Sequence, residues 1–147
     1  MSPVSARLTV VTLGARDLQA LSDFYAALGW QPAIELDDFR AFGLRGAVLA
    51  LFPIKLLAQE AGAKPAPPQP GTLSHSLAIN VDDIDEVDST LDAVRAAGGR
   101  ITAEPTTKDW GGRSGYFADP EGNYWEVAWV PSGNQMAKLL ERAAGHP

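Results

Sequence analysis

Residues 10–29 read VVTLGARDLQALSDFYAALG, and this stretch decides the fold because its pattern returns at residues 76–99 as SLAINVDDIDEVDSTLDAVRAAGG. In both copies a strand-like apolar run meets an aspartate, apolar residues then recur with helical spacing, and glycine ends the pattern. Asp83 lies 66 residues after Asp17, and the apolar helix positions that follow keep this offset. A strand followed by an amphipathic helix therefore occurs twice, which predicts two copies of one structural unit.

Both predicted helices carry start and stop signals. Asp17 and Asp83 each precede a helical pattern, where an aspartate accepts hydrogen bonds from the free amides of the first turn. Glu86 stands three residues after Asp83 and completes a capping-box pattern in the second copy. Gly29 and the pair Gly98-Gly99 tolerate the positive φ with which helices commonly end. Each helix is thus predicted to run from its aspartate to its glycine.

Three short strand-like runs follow each predicted helix. They read QPAIEL, FRAFGL and AVLALFPI in the first half, and RITAEPT, SGYFA and NYWEVAWV in the second. Neither βαβββ unit can bury its sheet alone, so we predict an α+β fold in which two such modules pair curved mixed sheets. The predicted divisions are module one at 7–57, a proline-rich linker at 58–74, module two at 75–131 and a C-terminal tail helix at 132–147. We expect the tail helix to dock on the body or on a second chain.

Composition limits the functions open to the chain. Its 147 residues are 46% hydrophobic, which suits one compact domain. A formal charge of -6 argues against binding nucleic acid or an anionic membrane surface, because both need clustered lysine and arginine. The chain has no cysteine, no basic leader before a long apolar core, and no apolar run of roughly 20 residues. We therefore expect a cytoplasmic protein without disulfides or thiolate metal ligands.

Several ordered motifs resemble a known family. The runs VTLGARDLQALSDFYAALGW, VDDIDEV and GGRSGYFADPEGNYWEVAW resemble the vicinal oxygen chelate superfamily, which includes glyoxalase I, extradiol dioxygenases and bleomycin-resistance proteins. The resemblance covers about residues 7 to 131. It implies a glyoxalase/bleomycin resistance-type fold, in which two βαβββ modules curl around a cup-shaped cleft for a small molecule. Family cups are often completed by dimerisation, so we expect a homodimer.

Strand alternation then separates residues that face the cup from residues that face the helices. In the last strand Trp125 and Val127 form a helix-facing apolar set, which turns Glu126 toward the cup. A carboxylate there either contacts a ligand or is held by an arginine in a satisfied ion pair. Eight further cup positions are predicted to contact a ligand: Val10, Thr12, Ala50, Phe52, Ser76, Asn80, Tyr116 and Tyr124.

The resemblance also raises the question of a metal. Metal-dependent members hold the ion with up to four side chains, typically His and Glu, from the first and last strands of each module. Glu126 occupies one such position in the family pattern DPxGxxxE, and the repeat places Val10, Ala50 and Ser76 at the other three. Valine and alanine donate no electron pair, so we expect no metal cofactor. The alternative is one divalent metal held by Glu126 and His75, which a register slip would turn inward.

A glycine-rich loop, TTKDWGGRSGYF at residues 106–117, is a second candidate for ligand contact. Trp110 offers apolar area, and Arg113 offers a cation for an anionic or carbonyl group. Under the alternative interpretation, Trp110 packs on the neighbouring module and Arg113 pairs with Glu126 or another acid.

Three functions follow from these residues. The leading hypothesis is a metal-free binder of a small drug or metabolite, with Glu126 as a polar anchor; the net acidity is compatible with a cationic ligand. The second is an enzyme of lyase, isomerase or dioxygenase type, with Glu126 as general base or as a ligand of an atypical metal site. The third, and least supported, is an interaction module that uses the tail helix. The sequence leaves open whether any reaction is catalysed.

Overall fold

The computed structural model describes residues 3–68 and 71–144. Strands and helices follow the predicted order in both halves, and each half forms a four-stranded sheet. In chain order the elements are β1 (Val10–Ala15), α1 (Leu18–Ala27), β2 (Pro32–Leu36), β3 (Phe39–Gly43), β4 (Val48–Pro53), α2 (Ile54–Ala61), β5 (Leu77–Asn80), α3 (Asp85–Ala96), β6 (Arg100–Thr107), β7 (Arg113–Ala118), β8 (Tyr124–Trp129) and α4 (Gln135–Ala143).

The two sheets have the same topology. The first sheet has the strand order β1-β4-β3-β2 and the second sheet has β5-β8-β7-β6. In each, the first strand of the module pairs in parallel with the last, and the remaining pairs are antiparallel. Thr12 lies opposite Ala50 and Ala78 lies opposite Glu126, so the repeat extends to the strand register. The predicted α+β fold of two βαβββ modules is confirmed.

The sheets do not join into one closed surface. Among the described residues, β1 pairs only with β4, and β5 pairs only with β8. Both first strands are therefore sheet edges with free backbone hydrogen-bonding groups. The cup that the paired modules were expected to form is open in the single chain.

The two module helices begin differently. Asp17 caps α1 as predicted, since its side chain accepts a hydrogen bond from the amide of Ala20 at 3.0 Å. Helix α3 begins later, at Asp85, and has no side-chain cap. The amide of Glu86 donates to the carbonyl of Asp83 at 3.0 Å, and Glu86 Oε1 accepts from the amide of Asp83 at 3.0 Å. This local turn takes up the residues predicted to form the first helical turn, and only half of the capping box forms.

Aromatic rings join the modules into one core. The ring of Phe24 on α1 lies 6.2 Å from that of Phe117 on β7. Tyr25 stacks on Trp30 with centroids 5.5 Å apart, and its ring lies 5.9 Å from Trp125 on β8. Tyr25 and Phe117 are fully buried. Helix α1 thus packs on both modules, and these large rings contribute much of the buried apolar area.

The predicted linker at 58–74 is shorter than expected because its first residues belong to α2, which ends at Gly62 with φ of 71°. The leucine, alanine, glutamine and glutamate of this segment favour helix. Ile54 packs on β1: a Cβ added to Gly14 would lie 2.8 Å from Ile54 Cγ1. Sequence reasoning read Ile54 as the end of a strand and missed this contact. Residues 69 and 70 of the linker lie outside the described residues.

The tail helix is present as α4. The side chain of Asn134 caps it by accepting from the amide of Met136 at 2.7 Å. No residue of α4 is buried, although Ala137 and Leu140 are partly covered, so docking of this helix on the body or on a second chain stays a prediction. Residues 145–147, the end of the predicted tail helix, lie outside the described residues. Across the described part of the chain, no helix has both the length and the apolarity that a bilayer crossing demands.

Candidate functional site

Each sheet has one side packed on α1 or α3, as the alternation predicts, and the opposite side is open except at Gly14, where Ile54 of α2 packs. Leu13 and Val127 face the helices and are buried, whereas Val10 on the open side is 49% exposed. We call the open side of the first sheet the apolar face; its members are Val10, Thr12, Ile34, Leu36, Phe39, Ala41, Val48, Ala50 and Phe52. The open side of the second sheet is the polar face; its members are Ala78, Asn80, Ser114, Tyr116, Tyr124, Glu126 and Ala128.

Glu126 and Tyr116 form the centre of the polar face. They are direct cross-strand partners, and both side chains are partly buried. Burial raises the pKa of Tyr116, and the charge of Glu126 and a hydrogen bond to it raise that pKa further. Tyr116 therefore stays protonated at neutral pH and lies beside the Glu126 carboxylate. Among the described residues, no lysine, arginine or histidine forms an ion pair with Glu126, so its carboxylate has spare acceptor capacity.

Arg113 lies on the helix side of β7, on the same side as the buried Phe117. Its Nε and Nη2 donate to the two carboxylate oxygens of Asp88 on α3, each at 2.8 Å. These hydrogen bonds lower the pKa of Asp88. Arg113 therefore pairs with an acid, as the alternative to ligand contact expected, and this acid is Asp88 and not Glu126. Arg113 is held away from the polar face.

Trp110 is 52% exposed in the loop before β7. Its ring covers Gly112, where an added Cβ would lie 1.9 Å from Trp110 Cζ3. With the ring in this position, only glycine fits beneath it. This position of the indole therefore depends on Gly112, and the exposed remainder of the ring is available for a contact.

The other predicted ligand positions divide between the two sheets. Val10, Thr12, Ala50 and Phe52 belong to the apolar face, where Phe52 packs edge-on against Phe39. Ala50 is buried and offers no surface. Asn80 and Tyr124 belong to the polar face, and the exposed Ser76 immediately precedes β5.

The residues at the four metal positions do not fit a catalytic divalent ion. Val10 and Ala50 have no donor atom, which leaves the hydroxyl of Ser76 and the carboxylate of Glu126. Within the part of the chain that the structure describes, no three His, Asp or Glu side chains come together at a possible metal site. His75 is exposed and precedes β5. Leu77 and Ile79 of that strand pack on the core, so β5 has no register slip that would turn His75 inward.

A buried polar network that sequence reasoning missed lies behind the polar face. The hydroxyl of Tyr25 on α1 donates to Asp119 Oδ2 at 2.5 Å and accepts from Trp125 Nε1 at 2.9 Å. Asp119 also accepts from the amides of Glu121 and Asn123, both at 2.9 Å. Burial raises the pKa of Asp119 and that of Tyr25. The only sequence signals were Asp119 at the start of the DPEG turn and Tyr25 on the helix stripe, and neither identifies the other as its partner.

Glu121 in the same turn makes a second connection between the modules. Its Oε2 accepts from the amides of Arg16 and Asp17 at 2.9 Å each, and its Oε1 pairs with Arg16 Nη1 at 3.2 Å. The Glu121 side chain is nearly buried, with 8% of its surface exposed. The DPEG turn thus positions the start of α1 and, through β8, the strand that carries Glu126.

Similar proteins share this architecture over most of the chain. The family model described as "Glyoxalase/Bleomycin resistance protein/Dioxygenase superfamily" matches residues 7–127. No curated protein matches the sequence significantly. A glyoxalase-related enzyme from Fulvimarina pelagi is 34% identical, with a TM-score of 0.77, covering 86% of this chain and 90% of that chain.

Two further solved structures are similar. A glyoxalase/bleomycin resistance protein/dioxygenase from Nocardioides is 25% identical, with a TM-score of 0.77 over 90% of this chain and 89% of that one. A lactoylglutathione lyase from Agrobacterium tumefaciens is 23% identical, with a TM-score of 0.68 over 86% and 95%, and this likeness concerns the fold alone. From the family match and the similarity to the Fulvimarina protein, this chain belongs to the glyoxalase/bleomycin resistance protein/dioxygenase superfamily.

Proposed function

We propose that this protein binds a small organic molecule on the polar face without a metal ion, with Glu126 as the polar anchor. The observation that carries the proposal is a partly buried carboxylate that has a tyrosine, Tyr116, as its cross-strand neighbour and no cationic partner among the described residues. A ligand with a cationic or hydrogen-bond-donor group would satisfy the remaining lone pairs of Glu126. Tyr116 and Tyr124 would supply flat apolar area beside that group.

The donor set supports the metal-free part of the proposal. One carboxylate and one hydroxyl at the four family positions fall short of the several N or O donors that a catalytic Zn, Fe or Mn site needs. Elemental analysis of protein purified without a histidine tag tests this directly. We expect less than about 0.1 equivalent of any transition metal per chain. A stoichiometric amount of metal in the wild-type protein that is lost in Glu126→Gln would overturn the metal-free assignment.

A homodimer belongs to the same proposal. On the apolar face, Val10, Ile34 and Leu36 are 49%, 45% and 58% exposed. Contiguous apolar surface of this kind marks an interaction site in a monomeric protein. We infer that a second copy of the chain covers the apolar face and completes the cup. A cytoplasmic location of the protein stays a prediction.

A lyase or isomerase activity is the second candidate. A partly buried carboxylate beside a protonated tyrosine is a general base next to a hydrogen-bond donor, which suits proton transfer next to a substrate carbonyl. Such an enzyme would need both groups. In any dicarbonyl-adduct isomerase assay, Tyr116→Phe and Glu126→Gln should each abolish turnover, whereas a pure binder shows no turnover to lose.

Binding is tested by a thermal-shift screen over cationic antibiotics, aromatic amines and dicarbonyl adducts, since a ligand that binds only the folded state raises the Tm. For each hit, Glu126→Gln should weaken binding about tenfold or more, because a charge-assisted hydrogen bond is lost. The matched control is Glu35→Gln, which removes an exposed carboxylate from β2 of the other module. If Glu126→Gln binds every hit as tightly as Glu35→Gln does, Glu126 is not the anchor.

A further inference from the structure

A large cleft lies away from the Glu126–Tyr116 pair. It has a volume of about 1110 Å³ and opens between the end of β1, α2, residues 64–68 and 72–75 after α2, and the turn between β7 and β8. We call it the linker cleft. Tyr124 reaches it from the polar face, but Glu126 is not among the residues that line it. The linker cleft is therefore a different candidate site from the one built on Glu126.

The acidic groups of the linker cleft are already neutralised or buried. Asp119 is 5% exposed and accepts hydrogen bonds from Tyr25 and from Asn123. Glu121 accepts two backbone amides and pairs with Arg16. Glu121 is thus paired with a cation, and the Asp119 carboxylate, which has neutral donors as its partners, is buried and contributes little exposed negative charge to the cleft.

Two basic groups of the cleft are not neutralised in this way. Lys64 after α2 and Arg100 at the start of β6 both line the cleft and are exposed. Among the described residues, neither takes part in an ion pair. The cleft therefore carries a surplus of positive charge although the chain as a whole carries -6.

The rest of the lining is amphiphilic. Ile54 and Leu57 supply apolar surface, and Thr12 and Ser74 supply hydroxyl groups. The volume far exceeds that of inorganic phosphate and lies just above the usual range of ligand pockets, roughly 300–1000 Å³. A ligand that matches both properties has an anionic head and an apolar body.

We propose that the linker cleft binds an organic anion, a carboxylate or a phosphate ester with an apolar group, whose charge lies between Lys64 and Arg100. The apolar group contacts Ile54 and Leu57. This site and the Glu126 site favour opposite ligand charges, so the proposal does not depend on the function proposed for Glu126.

The test uses full-length protein with two pairs of probes, octanoate against 1-octanol and phenyl phosphate against phenol. Calorimetry gives the affinities, and amide chemical-shift changes give the location. We expect at least one anion to bind below about 10 mM, to shift amides around the cleft, and to bind at least about fivefold more tightly than its neutral analogue. Which anion binds better distinguishes a carboxylate ligand from a phosphate ester, and either result supports the proposal.

Charge variants locate the interaction. Lys64→Gln and Arg100→Gln should each weaken anion binding about fivefold, the effect of one solvent-screened charge near contact distance. Lys55→Gln is the matched control, because Lys55 is an exposed lysine of α2 that does not line the cleft. Lys64→Arg retains the charge and should retain the affinity.

Two outcomes would overturn the proposal: equal affinity for anion and neutral analogue, or unchanged anion affinity in the Lys64→Gln/Arg100→Gln double variant. Glu126→Gln should leave octanoate binding unchanged. An anion that loses affinity in Glu126→Gln but not in the double variant would place the ligand on the polar face and remove the linker cleft as its site.

Discussion

The cross-strand pairs Ala41–Ala50 and Tyr116–Glu126 occupy equivalent places in two modules of identical topology and register. The first pair is buried and presents two methyl groups, and the second is partly buried and presents a carboxylate and a phenol. Beneath them, on the helix side, Phe42 and Phe117 are both fully buried. The repeat therefore keeps the residues that build the sheet and differs in the residues on its open side. The residues on the helix side are therefore those that folding requires, and the residues on the open side are free to differ and to bind a ligand.

The modules also differ in what they contribute to their mutual contact, because the acceptor carboxylates Asp119 and Glu121 both belong to the hairpin turn of the second module. Asp119→Ala should lower the free energy of unfolding on the order of 4 kcal/mol, because the buried Tyr25 hydroxyl and the part-buried amides of Glu121 and Asn123 lose their acceptor at about 1–3 kcal/mol each. Urea unfolding monitored by tryptophan fluorescence measures the loss. Asp109→Ala, in an exposed loop of the same module, is the control and should change stability by less than about 0.5 kcal/mol. Equal stability of the two variants would contradict a supporting role for the network.

The chemistry of the open faces predicts opposite responses to a new charge. Val48→Asp on the apolar face should raise the Kd of the proposed homodimer about 100-fold, because an unpaired carboxylate would be buried in the proposed interface. Asn80→Asp on the polar face adds the same charge and should change the Kd by less than about threefold. Sedimentation equilibrium gives both constants. A wild-type protein that stays monomeric throughout would remove the apolar face as a dimer interface.

Gly14 and Asn80 stand 66 residues apart in the repeat and test whether equivalent positions have equivalent constraints. Gly14→Ala should cost about 2 kcal/mol, since the new Cβ would lie 2.8 Å from Ile54 Cγ1 and 3.3 Å from Ile54 Cα. Asn80→Ala should cost less than about 0.5 kcal/mol because Asn80 is exposed and no helix corresponding to α2 follows β8 directly. Thermal unfolding compares the two variants. A Gly14→Ala protein as stable as wild type would show that Ile54 moves aside without cost.

The smallest expected effect is the acid dependence of the pair between Arg113 and Asp88. Hydrogen bonding to Arg113 lowers the folded-state pKa of Asp88 below its ordinary value of 3.8. The stabilisation is thus complete above pH 3.8 and is lost as the pH falls through the lowered folded-state pKa. Unfolding measured between neutral pH and pH 2 should give wild type a slightly steeper acid loss than Arg113→Gln, with the exposed Arg45→Gln as the control. Identical slopes would show that the pair does not contribute to stability.

Much of the fold followed from local sequence signals. The alternation of Trp125, Glu126 and Val127 assigned Glu126 to the open side, and the structure agrees because one buried strand face leaves no other register. The capping of α1 by Asp17 was equally predictable, since a cap needs only its own helix. Helix α2 was not, because a short apolar run fits a strand or a helix until its packing partner is known.

The sequence alone determined the repeat and which side of each strand faces the helices. It also determined the equivalent positions Val10, Ala50, Ser76 and Glu126. Each of these features depends on residues that lie close together along one strand or helix. Tertiary structure decided the rest. It paired Arg113 with Asp88, 25 residues away, and Tyr25 with Asp119, 94 residues away, and it left the two sheets open. Such contacts depend on how elements distant in the chain come together, and no periodicity within one element contains that information.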